Sequence, residues 1–573
     1  MYIETVPNRS SPPAILLRQG WRDGKKIRKR TLANLSDWPA HKIESLRRLL
    51  RDEVLVSPNE LFHTEHTLPH GHVEAVLGTI RKLGLDTLIS AKRCPERDLV
   101  VAMIAERLIH PCSKLATTRH WHATTLAEEL EVGQADCDDL YAALDWLLER
   151  KARIEKKLAR RHLREGSLVL YDVTSSYYEG RTCPWAQYGH DRDGQKGLPI
   201  IVYGVMTDGE GRPLSVEVYA GNTGDPTTVV DQIDKLRRQF ELSRVVLVGD
   251  RGMLTEPQID KLRKHAGLGW ITALTSAKIR QLMAGGALQR SLFDEKNLVE
   301  MHSPDYPGER LMGCYNPLLA EERERKRREL LEATDEELTK IAKEVVRRTK
   351  TPLKAAEIGL KVGRVLGRYK MGKHYSYTIQ DGSFQWARCQ ESIDQEASLD
   401  GIYVVRTSEG PEQLTAAETV RSYKGLSQVE RAFRCMKGID LLVRPIRHRG
   451  EQRVPAHIFL CLLAYYVEWH MRRSLAPLLF EDEDLPRDRK RRDPILPAKA
   501  STSAKLKKRT GLTQEGFPVH SFETLMADLA SRARVTYKLE SQAHDLTLKQ
   551  VPALTPLQAR AHELLGLLPV NGK

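Results

Sequence analysis

The pattern that most constrains the fold is a series of short apolar runs, rich in β-branched residues, that begins at Ser167. The first four runs lie at 167–173, 199–206, 213–219 and 244–249. A helix is predicted between the last two, because Asp225 and Pro226 supply an N-cap acid and a proline at the first helical position. A second predicted helix, 256–265, precedes a fifth run at 269–274. Three strands joined by hairpins, followed by alternating helices and strands, predict an α/β core with a mixed sheet.

The composition and the apolar spacing of the chain change on both sides of this core, and these changes predict six segments. Within the fourth segment, a charged helical pair is expected at 318–331 and 334–348, the second helix opening with a capping-box pattern at Thr334 and Glu337. The segments are an N-terminal β-hairpin region (1–40), a helical DNA-binding domain (41–165), the first part of the core (166–274), an insertion domain (275–398), the second part of the core (399–475), and a basic linker with a helical C-terminal region (476–573).

The charge balance favours an anionic partner. The 573 residues include 90 Lys and Arg against 76 Asp and Glu, a formal net charge of +14, which points to nucleic acid ahead of a membrane surface. A basic run at 25–30 suits phosphate contact, although a solvated strand face explains it equally well. The basic stretch 487–509 is expected to be a flexible, solvated linker.

The sequence gives no sign of a membrane span, a leader or a zinc site. Its most apolar stretch, 458–467, is too short to cross a bilayer, and the first residues lack the regions of a signal peptide. The eight cysteines form no Cys-x-x-Cys pair, and no histidine pair has zinc-ligand spacing. We therefore expect reduced core cysteines in a cytoplasmic protein that does not contact a membrane.

Two acids stand at the ends of predicted core strands. Asp172 closes an apolar run, and Asp250 directly follows 245–249. An acid at the carboxyl end of a buried strand lies where α/β sheets place ligand sites, and two such charges side by side need a cation to neutralise them. Together they indicate a divalent metal site, whereas either acid alone is more simply a turn or helix-cap residue.

A third acid lies on a predicted amphipathic helix. Glu430 falls on the same face of helix 426–437 as Tyr423, Arg434 and Lys437, because seven residues span nearly two helical turns. An adjoining apolar stripe can pack on the sheet; it consists of Leu426, Val429, Phe433 and Met436. Taken alone, the pattern is more simply that of an ordinary amphipathic helix with charge pairs on its solvent side.

These residues together resemble the DDE insertion-sequence transposases. Tyr423, Glu430 and Lys437 fit the signature Tyr-x-x-Arg-x-x-x-Glu-x-x-x-x-x-x-Lys, and the stretch 423–434 is similar to the insertion-sequence sixteen-thirty-four branch of the insertion-sequence-four superfamily. The residues around Asp172 and Asp250 resemble the first two acid blocks of that branch, and Gly-Asn-Thr-Gly-Asp-Pro before the first predicted helix of the core resembles a further block. The resemblance extends over residues 1–473.

The chain departs from this signature at one position. Leu426 stands where the signature has an arginine, so the DNA contact of that arginine falls to another basic residue or is missing. The neighbouring basic residues are Lys424, Arg431 and Arg434.

The resemblance implies an RNase H-like catalytic core and a transposase of a bacterial insertion sequence, nucleoid-associated in the cytoplasm. Asp172, Asp250 and Glu430 would ligate two Mg²⁺ ions, for which Mn²⁺ can substitute, with Asp172 bridging them. Water would attack the transposon end, and the freed 3′-hydroxyl would then attack target DNA. Double-stranded DNA, as terminal inverted repeats and as target, is the implied partner of a dimer. The implied DNA contacts are Tyr423, Lys424, Arg431, Arg434 and Lys437.

Two other functions remain open at this point. A metal-dependent, structure-specific DNA nuclease or resolvase of the same fold would use the same three acids. A non-catalytic DNA-binding derivative is expected to have lost an acid, and this sequence keeps all three. Inverted repeats flanking the coding gene distinguish a transposase from a nuclease.

Overall fold

The computed structural model describes residues 1–9, 11–53, 62–488, 492–541 and 544–568. Contacts between residues divide the chain into two compact units. The small unit consists of Met1–Pro69 and Arg532–Ala553, and the large unit consists of His70–Ser531 and Leu554–Lys573. Among the described helices, none is both long and apolar enough to cross a membrane.

The small unit begins with an antiparallel three-stranded sheet and one helix. Strands β1 (Tyr2–Val6), β2 (Ala14–Asp23) and β3 (Lys26–Asn34) pair in that order, and helix α1 (Ala40–Leu49) follows. Gly24 adopts a φ of 61° in the tight turn between β2 and β3, a backbone conformation that favours glycine. The hairpin predicted in this region is confirmed, and its strand β3 is exposed along its whole length.

A second sheet of the small unit contradicts the helical prediction for the end of the chain. Strand β4 (Phe62–Pro69) pairs with β15 (Ala533–Ser541), which pairs in turn with β16 (His544–Gln550), all antiparallel. Val535 and Tyr537 alternate with polar residues in β15, which is the period of a strand. The prediction of helix throughout this region was therefore wrong for β15 and β16.

The large unit opens with the helices that the apolar spacing predicted. In chain order they are α2 (Gly71–Lys82), α3 (Leu85–Ile89), α4 (Pro95–Ile109), α5 (Lys114–His120), α6 (Leu126–Leu130), α7 (Cys137–Glu149) and α8 (Lys151–His162). Asp136 caps α7 by accepting hydrogen bonds from the amides of Asp138 and Asp139. These helices pack around one apolar core, which includes the buried side chains of Ile104 and Leu144.

An eight-stranded mixed sheet forms the centre of the large unit, and it contains all five strands predicted for the core. Its order is β10-β11-β14-β9-β8-β5-β6-β7. Strand β8 runs parallel to β5 and β9, and the other pairs are antiparallel. The mixed α/β sheet fits the fold class expected from the sequence. The strands are β5 (Ser167–Tyr177), β6 (Ile200–Asp208), β7 (Pro213–Ala220), β8 (Val245–Val248), β9 (Leu268–Ala273), β10 (Leu298–Met301), β11 (Arg310–Tyr315) and β14 (Ile402–Thr407).

Two helices that lie between β7 and β9 in the chain cover one face of this sheet, and a third helix follows β9. Helix α9 (Val229–Asp234) is preceded by a 3₁₀ turn, Asp225–Thr228, and continues as a π-helical turn, Lys235–Gln239. Helix α10 (Glu256–Arg263) follows β8, and α11 (Ser276–Ala284) follows β9. Both helices predicted for the first part of the core are thus present.

The segment between β9 and β14 adds strands to the main sheet and carries a separate cluster of helices with its own apolar core. Its elements after β11 are α12 (Pro317–Arg347), α13 (Ala355–Tyr369), β12 (Tyr375–Gln380), β13 (Ser383–Arg388) and α14 (Gln390–Ala397). Helix α12 is continuous over 31 residues, so the predicted break into two helices was wrong. Thr334 does not cap a new helix; it is buried within α12, where its hydroxyl donates to the carbonyl of Leu330 at 2.7 Å.

Helices complete the large unit after β14. They are α15 (Ala416–Lys424), α16 (Ser427–Lys437), α17 (Arg453–Leu475), α18 (Leu485–Asp488), α19 (Thr502–Thr510), α20 (Phe522–Ala530) and α21 (Pro556–Leu565). Part of the predicted flexible linker is in fact packed, because Lys507 is buried and its ammonium donates to the carbonyls of Ala476 and Leu479. Residues 489–491 of that predicted linker lie outside the described residues.

Candidate active site

Asp172 and Asp250 lie at the same level of two neighbouring parallel strands. The register pairs Leu170 of β5 with Val248 of β8, and each acid stands two residues beyond its member of that pair. Because side chains alternate across a strand, Asp172 extends from the face of β5 that carries Leu170. The sequence placed Asp172 at the end of its strand, but β5 continues to Tyr177, and Asp172 pairs with Val205 of β6.

Helix α16 brings the third acid to this side of the sheet. The apolar stripe predicted for the helix is buried; it consists of Leu426, Val429, Phe433 and Met436. The helix packs on β5 and β6, and Glu430 stands in its first turn with 60% of its side chain exposed. The buried stripe and the exposed acid thus occupy different faces of one helix, as the spacing predicted.

Asp250 and Glu430 act electrostatically on the carboxyl group of Asp172. The pKa of Asp172 is raised to about 7, first by burial and then by the negative charges of Asp250 and Glu430. The backbone amide of Val173, which donates to Asp172 Oδ1 at 2.8 Å, and the charge of Arg192 act in the opposite direction. Burial is thus the main reason that Asp172 holds its proton more tightly than an exposed aspartate, and the two neighbouring acids add to this effect.

Tyr423 adjoins the acids from the last turn of α15. Its pKa is raised to about 12, first by burial, then by the charge of Asp250 and by a hydrogen bond to that carboxyl group, while Arg251 lowers it. Arg251 is exposed beside Asp250, whose Oδ1 accepts the Arg251 backbone amide at 2.5 Å. Arg192 and Arg251 are site residues that the sequence reasoning did not single out, because neither shares a helical face with Glu430.

Lys437 is held by a buried aspartate. Its ammonium lies 2.8 Å from Asp193 Oδ1, and the guanidinium of Arg444 lies 2.6 Å from the same oxygen. The side chain of Asp193 is 1% exposed, and its Oδ2 accepts the backbone amide of Tyr177 at 3.1 Å. One buried carboxylate thus fixes two basic side chains, an arrangement that the sequence did not predict.

The other predicted DNA contacts differ in their surroundings. Arg434 has 69% of its side chain exposed, and its guanidinium lies 3.9 Å from Glu430. Arg431 lies on the other flank of α16, where it pairs with Glu481 at 2.6 Å and lines a cavity of about 890 Å³. Lys424 donates to the carbonyl of Ile495 at 2.6 Å.

A glycine-containing block adjoins the acid site. Residues 221–226, singled out in the sequence, line a cavity of about 320 Å³ together with Arg192 and Gly252. Gly221 is required there, because a Cβ on it would stand 2.1 Å from the carbonyl oxygen of Ile200. Asp225 pairs with Arg192 at 2.5 Å, so this acid neutralises a neighbouring cation.

The donor chemistry of the three acids fits a hard divalent cation, since carboxylate oxygens are the ligands that Mg²⁺ and Mn²⁺ prefer. The nearby negative charges of Asp250 and Glu430 around Asp172 also fit a cation. Among the described residues, the donor sets whose atoms all lie within 4.8 Å of one another are Glu106, His110 and Cys112, and Cys435, Asp440 and Glu468. The three acids of the site are thus not gathered as tightly as the ligands of a single ion.

Comparisons with known proteins bear on this site. No curated protein matches the chain. A cryo-EM structure of a piggyBac transposase synaptic complex with hairpin DNA is 10% identical, with a TM-score of 0.33 over 80% of this chain and 76% of that chain. The family model of the transposase DDE domain matches residues 164–467, a span that contains Asp172, Asp250 and Glu430. Because this match covers more than half of the chain, the protein belongs to the transposase DDE domain family.

Proposed function

We propose that the protein is the transposase of a bacterial insertion sequence, of the sixteen-thirty-four branch of the insertion-sequence-four superfamily. It binds the terminal inverted repeats as a dimer, cleaves the transposon ends by metal-dependent hydrolysis, and joins the 3′-hydroxyl ends to target DNA. The observation that carries the proposal is the position of Asp172 and Asp250 at the same level of two parallel strands, with Glu430 on a helix packed against the same sheet.

Asp172, Asp250 and Glu430 are the residues that would hold Mg²⁺, or Mn²⁺ in its place. When bound, such ions stabilise the charge on the attacking and leaving oxygens of an in-line displacement at phosphorus. The closeness of Asp250 and Glu430 to Asp172 supports this role, because a cation between the acids lowers their mutual repulsion.

The basic residues beside the acids are proposed to hold the DNA. Lys437 and Arg444 share the single charge of Asp193, so this group keeps one net positive charge to offer a phosphate. Arg434 is exposed next to Glu430 and can reach a phosphate near the cleaved bond. Arg251 stands beside Asp250 and is a candidate for the contact of the signature arginine that Leu426 replaces.

We also propose that the protein is nucleoid-associated and that its DNA contacts extend beyond the acid site. The exposed strand β3 carries Lys26, Arg28, Lys29 and Arg30, and the net charge of the chain is +14. A surface of this kind suits the backbone of a long duplex, with affinity that falls steeply as salt increases.

The test is cleavage of a supercoiled plasmid that carries the inverted repeats flanking the coding gene, with Mg²⁺ present. The wild-type protein should cut at the repeat ends, and Asp172→Asn, Asp250→Asn and Glu430→Gln should each abolish cutting. Glu412→Gln is the matched control, because Glu412 is an exposed acid outside the site.

Three results would contradict the proposal in different ways. Equal cutting of a plasmid without the repeats would favour a structure-specific nuclease or resolvase. Wild-type cutting by the three acid variants would show that these carboxylates are not the catalytic groups. Repeat binding without any cutting by the wild-type protein would favour a non-catalytic DNA-binding derivative.

A further inference from the structure

A cluster of three different metal-binding side chains lies far from the acid site along the chain, in the helical part of the large unit. Glu106 stands in the last turn of α4, His110 follows one turn later as its C-cap residue, and Cys112 lies in the loop that leads to α5. One donor atom of each residue lies within 4.8 Å of the other two. Glu106 Oε1 and His110 Nδ1 are 3.8 Å apart, which is close to the spacing of two ligands on one tetrahedral ion.

Glu106 has a requirement that the described residues leave unmet. It is only 1% exposed, and its Oε2 is buried without a hydrogen-bond partner among the described residues. Its other oxygen, Oε1, lies 2.6 Å from Nδ1 of His120. Burial raises the pKa of Glu106 to about 8, although the neighbouring charge of Arg107 lowers it. A buried carboxylate with a free oxygen is unfavourable unless a proton or a cation compensates it.

The other two donors are accessible and oriented. Half of the His110 side chain is exposed, and its ring stacks on that of His120 with 3.7 Å between centroids and 14° between planes. Cys112 is a free, partly buried thiol whose sulfur lies 3.4 Å from the hydroxyl of Thr117. The stacking fixes the imidazole of His110 next to the carboxylate of Glu106.

Two buried basic residues, Arg107 and Lys114, lie near the cluster. The pKa of the Cys112 thiol is raised, first by burial and then by the charge of Glu106, whereas the buried residues Arg107 and Lys114 lower it. The guanidinium of Arg107 donates to the carbonyls of Leu441 and Leu442, so its hydrogen bonds do not satisfy Glu106. The two basic residues thus offset part of the negative charge that Glu106 and Cys112 carry once a divalent ion has displaced their protons.

We propose that Glu106, His110 and Cys112 form a Zn²⁺ site that ties the end of α4 to the loop before α5. A thiolate, an imidazole and a carboxylate together are the donor set of zinc, whereas Mg²⁺ and Mn²⁺ favour oxygen ligands. The sequence search missed this set because it looked for paired cysteines and histidines, and here a glutamate supplies the first ligand.

The second donor set of the large unit is different and supports no such proposal. Between Cys435, Asp440 and Glu468 stands Arg472, whose guanidinium lies 2.5 Å from Glu468 and 3.0 Å from Asp440. A guanidinium bonded to both acids thus already stands where an added cation would bind. The Glu106 cluster contains no guanidinium bonded to its carboxylate in the described part of the chain.

The test measures zinc on the full-length protein, freed of any purification tag and freed of metal with a chelator. Titration with Zn²⁺ against a chromophoric chelator should give one tight site per chain. His110→Ala and Cys112→Ser should each weaken this site by at least about 100-fold. Cys94→Ser and His122→Ala are the matched controls, since they change one cysteine and one exposed histidine of the same helical part.

Further measurements separate this site from the acid site and from misfolding. Asp172→Asn with Asp250→Asn should leave zinc binding unchanged, so the outcome does not depend on the proposed transposase chemistry. Co²⁺ in place of Zn²⁺ should give a thiolate charge-transfer absorption that Cys112→Ser removes and Cys94→Ser keeps. His110→Ala alters a half-exposed side chain, and circular dichroism checks that the variant is folded. Zinc binding of equal strength in wild type, His110→Ala and Cys112→Ser, or no tight site at all, would overturn the proposal.

Discussion

The two flanks of helix α16 carry similar residues in different electrostatic settings. On the flank of the acids, Glu430 and Arg434 are exposed. On the opposite flank, Arg431 pairs with Glu481 and lines a large cavity. By sequence, Arg431 and Arg434 are equally good candidates for DNA contacts. They differ because the protein already supplies an acidic partner, Glu481, for Arg431, whereas Arg434 is largely exposed.

The largest effect is expected from removing the charge of Glu430, the exposed acid of α16. Glu430→Gln should lower plasmid cleavage by about 1,000-fold, because a lost metal ligand removes several kcal/mol of transition-state stabilisation. The unfolding free energy should hardly change, since the side chain is 60% exposed. Cleavage time courses and urea denaturation of the same preparation measure the two quantities. Equal losses of cleavage in Glu412→Gln would mean that the assay does not report on the site.

Asp172, the buried acid of the site on β5, predicts a dependence of the unfolding free energy on pH. The pKa of Asp172 in the folded protein is about 7, well above its ordinary value, with burial as the first cause. Between about pH 4 and pH 7 the folded state therefore binds more protons than the unfolded state, so the unfolding free energy of the metal-free protein falls as pH rises. The fall should be on the order of 3–4 kcal/mol.

Asp172→Asn checks this sign. It cannot ionise, so it should flatten the fall in this window and make the metal-free protein more stable than wild type near pH 7.5. Urea denaturation at several pH values, in the presence of a chelator, measures the slope. A variant with the wild-type slope would show that other groups cause the pH dependence.

The next prediction concerns the aspartate that holds Lys437. Asp193→Asn leaves the ammonium of Lys437 and the guanidinium of Arg444 beside a neutral amide in a largely buried place. Breaking such a pair from one side should cost about 3 kcal/mol of unfolding free energy. Asp260→Asn, at an acid whose side chain is 60% exposed, should cost far less. Similar losses in the two variants would mean that Asp193 contributes no more than a surface pair.

These predictions rest on features that the sequence revealed unequally. Strands β5 to β9 and the position of Asp250 could be predicted, because apolar β-branched runs and an acid after a buried strand are local patterns. Asp172, expected at the end of its strand, lies within β5 instead. The apolar stripe of α16 was likewise predictable from a local pattern. The partners of its basic residues were not, since Asp193 and Glu481 lie far away in the chain and helical spacing does not say which flank they approach.

Two errors in the fold have the same physical origin. The capping-box pattern at Thr334 is local, yet α12 continues through it because the hydroxyl bonds back to Leu330 and no glycine or proline interrupts the helix. Strand β15 shows a period of two, but its partner β4 lies near the other end of the chain. Tertiary context decided both cases, and a single sequence contains little record of it.

A smaller effect is expected from Arg434, the exposed arginine on the flank of the acids. Arg434→Gln should weaken binding of a repeat-end duplex by about fivefold, or about 1 kcal/mol, and reduce the slope of log affinity against log salt by about one. Fluorescence anisotropy at several salt concentrations measures both. Lys508→Gln, at an exposed lysine of α19, is the control for a charge change outside the site. An unchanged salt slope in Arg434→Gln would remove this residue from the DNA contacts.

The smallest effect is expected from Arg431 on the opposite flank of α16, and it tests whether the two flanks differ in their contact with DNA. Arg431→Gln should cost only about 0.5 kcal/mol of unfolding free energy, because its pair with Glu481 is partly exposed. If the pair persists in the DNA complex, cleavage and the salt slope should equal those of wild type. A salt slope reduced by about one, as expected for Arg434→Gln, would mean that Arg431 leaves Glu481 and reaches a phosphate. In that event the helix would present basic residues to DNA from both flanks, and Arg431 would be the stronger candidate to replace the signature arginine missing at Leu426.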